Sequence, residues 1–203
     1  RYDLLDDFKP YYEEKRKLGL VNQSVFEAHP LLQNKRSTYL EYSAFYGSIK
    51  IFKYLISEEV EIPSSIWKYA IHSPNRQIIE ILEQNHIWPA KEEYNELLKE
   101  IVKCHHNDLL DHFNQNYLQS NLAENIDLFS YAIKYHNYDH FPSEFNNDLI
   151  FYNLCKYNYV DLVERVINEV SYDCKIDKIK KMKNDNESIE KERTPLYIAA
   201  EKG

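Results

Sequence analysis

TPLYIAAEKG, residues 194–203, reads as the opening of a helical hairpin. Thr194 is a helix cap and Pro195 suits the first turn, where no amide hydrogen is needed. Leu196, Ala199 and Ala200 make one apolar stripe. The two alanines are small enough for a neighbouring helix to pass close. Gly203 then ends the helix in a left-handed conformation, which glycine adopts without steric cost. A hairpin of this kind cannot hide its apolar side alone, so the pattern predicts further copies stacked beside it.

Moving the same template back along the chain finds a second clear copy at 38–56, TYLEYSAFYGSIKIFKYLI. Here Thr38 is the cap, Leu40 holds the leucine position, Ser43 and Ala44 are the small pair and Gly47 is the turn. Ile51, Phe52, Tyr54 and Leu55 make the stripe of the following helix. Less regular copies begin at Ser65, Glu96, Asp127 and Leu149, with Trp67, Leu98, Phe129 and Phe151 at the leucine position. Their small pairs are Ala70/Ile71, Ile101/Val102, Ala132/Ile133 and Leu154/Cys155. The turn column reads Gly47, Pro74, His105, His136, Asn158 and Gly203. Glycine, asparagine and histidine tolerate positive φ, whereas proline does not, so the turn at Pro74 has to differ. Pro142 falls where the second helix of the fourth copy would run, which predicts a short or displaced helix there.

Thr194, Pro195, Leu196, Ala199, Ala200 and Gly203 fall where an ankyrin repeat has them, with Tyr197 in place of the usual histidine. Together with HPLLQNKRSTYLEYSAFYGSIKIFKYL (29–55), IWKYAIHSPN (66–75), IVKCHHNDLLDHF (101–113) and FSYAIKYHN (129–137), they resemble the ankyrin-repeat proteins expanded in parasitic protists. In those proteins a degenerate ankyrin-type domain of unknown function precedes regular repeats. The likeness spans about Val25 to His140. It implies an all-α, ankyrin-like helical repeat solenoid and protein–protein interaction, and it carries over no catalytic residue. The expected organisation is an N-terminal helical cap over 1–37, in which Leu4, Leu5, Phe8 and Tyr12 have helical spacing. Degenerate repeats follow over 38–172, then a charged, exposed and partly helical insertion over 173–193, and the start of a regular repeat over 194–203. A chain that opens at Arg1 and closes inside a repeat reads as a piece of a longer protein.

Composition agrees with a helical, packed chain. Of 203 residues, 43% are hydrophobic and 29% charged, with only 3 Gly and 7 Pro, too little punctuation for a sandwich or barrel of many short strands. The net charge of −8 opposes binding to nucleic acid or an acidic membrane surface. Lys175 to Lys183 is rich in lysine, but Asp177 and the acidic residues that follow dilute it, and a solvated linker is the preferred reading. No apolar run approaches the 20 or so residues a membrane-spanning helix needs. Three cysteines without a CxxC spacing suit a reducing, intracellular and cytoplasmic setting.

Catalytic signatures are missing from the sequence: it has no HExxH, no GxSxG and no glycine-rich phosphate loop. No cofactor is expected. One metal candidate stands out, Cys104, His105, His106 and His112, whose ligand types suit zinc. The alternative to a binding module is therefore a zinc protein or metal-dependent enzyme built on these four residues. Against it, neighbours on one helix end point in different directions and His112 falls on the next helix. His136 and His140 have i, i+4 spacing, but the turn column separates them. In ankyrin stacks the two residues after the small pair face a concave groove. Here they are Phe45/Tyr46, His72/Ser73, Lys103/Cys104, Lys134/Tyr135 and Lys156/Tyr157. Tyrosine at three of the five second positions predicts a recognition column for an unidentified protein partner.

Overall fold

Thr38 shows how the sequence starts an element. Its hydroxyl accepts from the Glu41 amide at 3.1 Å, and its own amide donates to the Glu41 carboxylate at 2.8 Å. This reciprocal capping box satisfies two otherwise orphaned donors at the start of a helix. Glu41 is buried, and its second oxygen accepts from the Ser65 hydroxyl at 2.6 Å. Ser65 thus ties the start of one helix pair to the next instead of capping its own helix.

The computed structural model describes residues 2–15, 20–21, 27–33, 36–143, 147–169, 180–184 and 187–193. The chain is mostly helical and divides into two compact units, Arg1–Leu118 and Gln119–Gly203. The first holds α1 (Leu5–Lys15), the short α2 (Pro30–Gln33) and three helix pairs. The pairs are α3 (Tyr39–Phe45) with α4 (Ile49–Ser57), α5 (Ile66–Ile71) with α6 (Gln77–Gln84), and α7 (Tyr94–Lys103) with α8 (Asn107–Phe113). A π-helical turn, Asn114–Leu118, continues α8. Helix α3 packs on α5 and α5 on α7, while α4 packs on α6. First helices therefore lie against first helices in chain order. Leu40, Trp67 and Leu98, at the leucine position of each pair, are all buried. Helix α1 packs on α4, with Tyr12 set between Tyr39 and Tyr54 at ring separations of 5.9 and 6.0 Å. Leu4 is exposed and takes no part in that apolar face.

Helices α3 and α7 share one termination. Gly47 and His105 have φ of +66° and +57°. In each case the next amide reaches back five residues to the first member of the small pair, Ser48 to Ser43 at 2.9 Å and His106 to Ile101 at 3.2 Å. That is the Schellman closure, which uses up helix-end carbonyls. The turn at Pro74 does differ: the Ser73 hydroxyl donates to the Asn75 carbonyl and accepts from its amide. The second helices α4 and α6 also end at left-handed residues, Glu59 and His86.

The second unit contains α9 (Ile126–Tyr135), α10 (Asp148–Lys156) and α11 (Val160–Glu169). Ile133, Ile150, Phe151, Leu154 and Val166 form its core, with Phe129 and Phe141 packed against it. His136 and Asn158 have φ of +58° and +60° and close α9 and α10 with the same five-residue bond, Asn137 to Ala132 and Tyr159 to Leu154, both at 2.9 Å. After α9 only a 3₁₀ turn, Tyr138–His140, precedes Pro142 among the described residues, where a short or displaced second helix was expected. Helices α9 and α10 are capped by Asn125 and Asn147, two residues before the starts read from the template.

Residues 180–193 correct the expectation of a partly helical insertion. Strands β1 (Lys180–Asn184) and β2 (Glu187–Arg193) form an antiparallel hairpin in which Lys181 pairs with Glu192 and Met182 with Lys191. The segment 194–203, on which the repeat template is anchored, lies outside the described residues, as do Cys174 and Lys175.

Candidate functional site

The predicted column is brought together in the first unit. Phe45, which ends α3, stacks on the ring of His72, which caps α5, with centroids 5.2 Å apart and planes at 20°. The Nδ1 of His72 lies 3.3 Å from the Sγ of Cys104, the residue that caps α7. Residues at the ends of three successive first helices thus adjoin in a row, Phe45 and His72 one place after their small pairs and Cys104 two places after its own. They do so because their first helices stack in chain order.

That row is not an open groove along its length. Residues 27–33 lie on its beginning. The Glu27 carboxylate accepts from the Tyr46 hydroxyl at 2.8 and 2.9 Å and from Tyr42 at 3.3 Å. The His29 ring sits 4.8 Å from Phe45 and 4.6 Å from His72. The Tyr69 hydroxyl donates to the Leu31 carbonyl at 3.1 Å. Phe45, Tyr46 and His72, expected to face a partner, face this chain's own N-terminal segment instead. A buried carboxylate needs donors, and the tyrosines of the row supply them.

Below His29 the row becomes polar. His72 Nε2 is 3.0 Å from Glu100 Oε2, and both side chains are only 8% exposed. Lys103 Nζ contacts the same oxygen at 3.2 Å from a more open position. Burial on its own would raise the Glu100 carboxyl, but the hydrogen bond from His72 and the charge and hydrogen bond of Lys103 outweigh it and hold the group at about 2. Burial pushes the Cys104 thiol up to about 11, and the Glu100 charge adds to this while Lys103 only partly offsets it. Cys104, His72 and Glu100 have the order of a nucleophile, a base and an orienting acid. A thiol held protonated beside a carboxylate makes a poor nucleophile, however, because the thiolate is the reactive form. His29 is lowered by burial and by His72, which favours its neutral ring, with Nδ1 accepting from the Leu31 amide.

The metal candidate read from the sequence does not assemble. Of its four residues only Cys104 belongs to a cluster of three possible ligands, and its companions there are His72 and Glu100. His105 is exposed at its left-handed turn, and His106 stands at the start of α8 without a side-chain capping bond. His112 turns to Glu83 of α6 at 2.7 Å. His136 and His140 are separated by the end of α9, and His136 bonds with the Tyr159 hydroxyl. Glu100 escaped the sequence reading, although its i, i+4 spacing to Cys104 puts the two on one face of α7. In the second unit, Lys134 lies over the ring of Tyr135 at 5.3 Å and Lys156 over that of Tyr157 at 5.4 Å, so the two copies repeat one local arrangement.

Among the described residues no helix is long and apolar enough to cross a membrane. Comparison with protein-family models, with curated proteins and with solved structures gives no match.

Proposed function

We propose that this chain is a non-catalytic protein-interaction module, a degenerate ankyrin-type helical repeat array that acts in a reducing, intracellular setting. One observation carries the reading: residues one or two places after the small pair in three successive helix pairs, Phe45, His72 and Cys104, form a single contiguous row. Repeat arrays present variable side chains from such rows on a regular scaffold. This row already holds a short stretch of polypeptide, residues 27–33, through aromatic contacts, a carboxylate and a backbone carbonyl. A surface that holds a peptide in cis has the chemistry to hold one in trans.

With Phe45, Tyr46 and His72 covered, the partner-facing candidates are Lys103 in the first unit and Lys134, Tyr135, Lys156 and Tyr157 in the second. Lysine over tyrosine offers a broad, rigid face with a positive rim, suited to an acidic or carboxylate-bearing partner segment. The test is affinity capture from extracts of the source organism with the wild-type chain and with a Tyr135→Ala/Tyr157→Ala variant of unchanged helical content. Loss of a defined set of partners from the variant supports the proposal. Identical captured sets from both chains would overturn the assignment of these residues.

A further inference from the structure

His72, Glu100 and Cys104 bring an imidazole nitrogen, a carboxylate oxygen and a sulfur within 4.8 Å of one another. Glu100 and Cys104 are one turn apart on α7, and His72 comes from the end of α5 in the preceding pair. His72 Nε2 lies 3.0 Å from Glu100 Oε2 and 4.0 Å from Cys104 Sγ. Ligand atoms on a tetrahedral ion, with bonds of about 2.0–2.3 Å, stand roughly 3.3–3.8 Å apart. Two of the separations, 3.0 and 4.0 Å, lie on either side of that range and the third is within 4.8 Å, so the side chains turn to close the site.

We propose that His72 Nε2, Glu100 Oε2 and Cys104 Sγ bind a divalent transition metal ion of the zinc class, with a fourth position open. The mixed donor set selects the metal: calcium and magnesium prefer oxygen alone, whereas nitrogen, oxygen and sulfur together suit zinc or cobalt. Binding replaces the hydrogen bond between His72 and Glu100 with two metal–ligand bonds. Nε2 gives its proton up to solvent and Nδ1 takes one, so the neutral His72 ring ligates through the Nε2 lone pair; the Cys104 S–H bond breaks, the sulfur keeps the electron pair as a thiolate ligand, and that proton leaves to solvent. Lys103 gives up its contact with Glu100 and turns outward, which its 37% side-chain exposure permits. His29 packs against the His72 ring at a centroid distance of 4.6 Å. An ion at this point staples α5 to α7. The proposal does not depend on the partner-binding reading above.

The test uses the full chain stripped with chelator, then titrated with zinc by calorimetry and with cobalt(II) by absorbance. The expected result is one ion per chain, a sulfur-to-cobalt charge-transfer band displaced by zinc, and a thermal midpoint raised by zinc. Cys104→Ser abolishes the band, and His72→Gln weakens binding by more than about tenfold, the scale on which removing metal-site groups acts. Cys155→Ser and His112→Ala leave both signals intact. No stoichiometric binding of either ion overturns the proposal. So does binding that survives both Cys104→Ser and His72→Gln, since the ion then sits elsewhere. A wild-type cobalt complex without the sulfur band overturns it however the variants fold.

Discussion

Gly47 is held by two requirements at once. Its φ is +66°, and a Cβ built on it would come 2.9 Å from the Ser73 hydroxyl and 3.2 Å from the Pro74 ring. The first makes any side chain strained, and the second shows that the turn of one helix pair presses on the turn of the next. Gly47→Ala is expected to destabilise the chain by about 1–3 kcal/mol, read as a fall in the urea midpoint at unchanged slope. An unaltered midpoint would contradict both the left-handed φ of Gly47 and the contact between the two turns. The turn column was legible in the sequence because positive φ is a property of single residues: Gly47, His105, His136 and Asn158 all adopt it. Glu59 and His86 adopt it as well, but they end second helices, outside the turn column, and glutamate gives no composition signal for such a turn.

Helices were readable where their caps and stripes are local, and less so where distant groups complete them. Thr38 announces α3 through its own side chain, and Glu41 answers within the same turn. Helix α4 follows a serine, but the Ser48 side chain makes no cap. The Asp3 carboxylate, from the start of the chain, accepts instead from the amides of Lys50 and Ile51, both at 3.0 Å. Asp3→Ala should cost about 1 kcal/mol and speed hydrogen exchange in the first turn of α4 while leaving α8 unchanged. Equal protection of that turn in both chains would contradict the capping. The covering of Phe45 and Tyr46 by residues 27–33 was likewise hidden. Periodicity records which face of a helix is apolar, not which distant carboxylate will satisfy a tyrosine hydroxyl. The hairpin over 180–193 was missed for a related reason: a strongly charged segment has no apolar alternation to mark its strands.

Across the chain, burial is shared between aliphatic stripes and tyrosines whose hydroxyls bond inside the units. Tyr39 is pushed up to about 12 by burial and by its neighbour Tyr11. Tyr117 is raised by burial and by the Glu83 carboxylate that accepts its hydroxyl, and Tyr159 by burial and by Tyr138. Tyrosines of the unfolded chain ionise near 10. Because these three have higher values when folded, their contribution is complete below pH 10 and is lost as pH rises towards 12 and beyond. Tyrosinate absorbance and loss of helical signal should therefore rise together above about pH 10. Full tyrosine ionisation near pH 10 with the helices intact would contradict this.

The stacking of α3, α5 and α7 in chain order is what makes Phe45 and His72 neighbours, although the sequence sets them in separate helix pairs. A double-mutant cycle of Phe45→Ala and His72→Ala, measured by urea unfolding with chelator present, tests that stacking most directly. Stacked rings at 5.2 Å predict a coupling of about 0.5–1.5 kcal/mol. Strict additivity of the two substitutions would show that the rings do not meet, and the repeat register would fall with them.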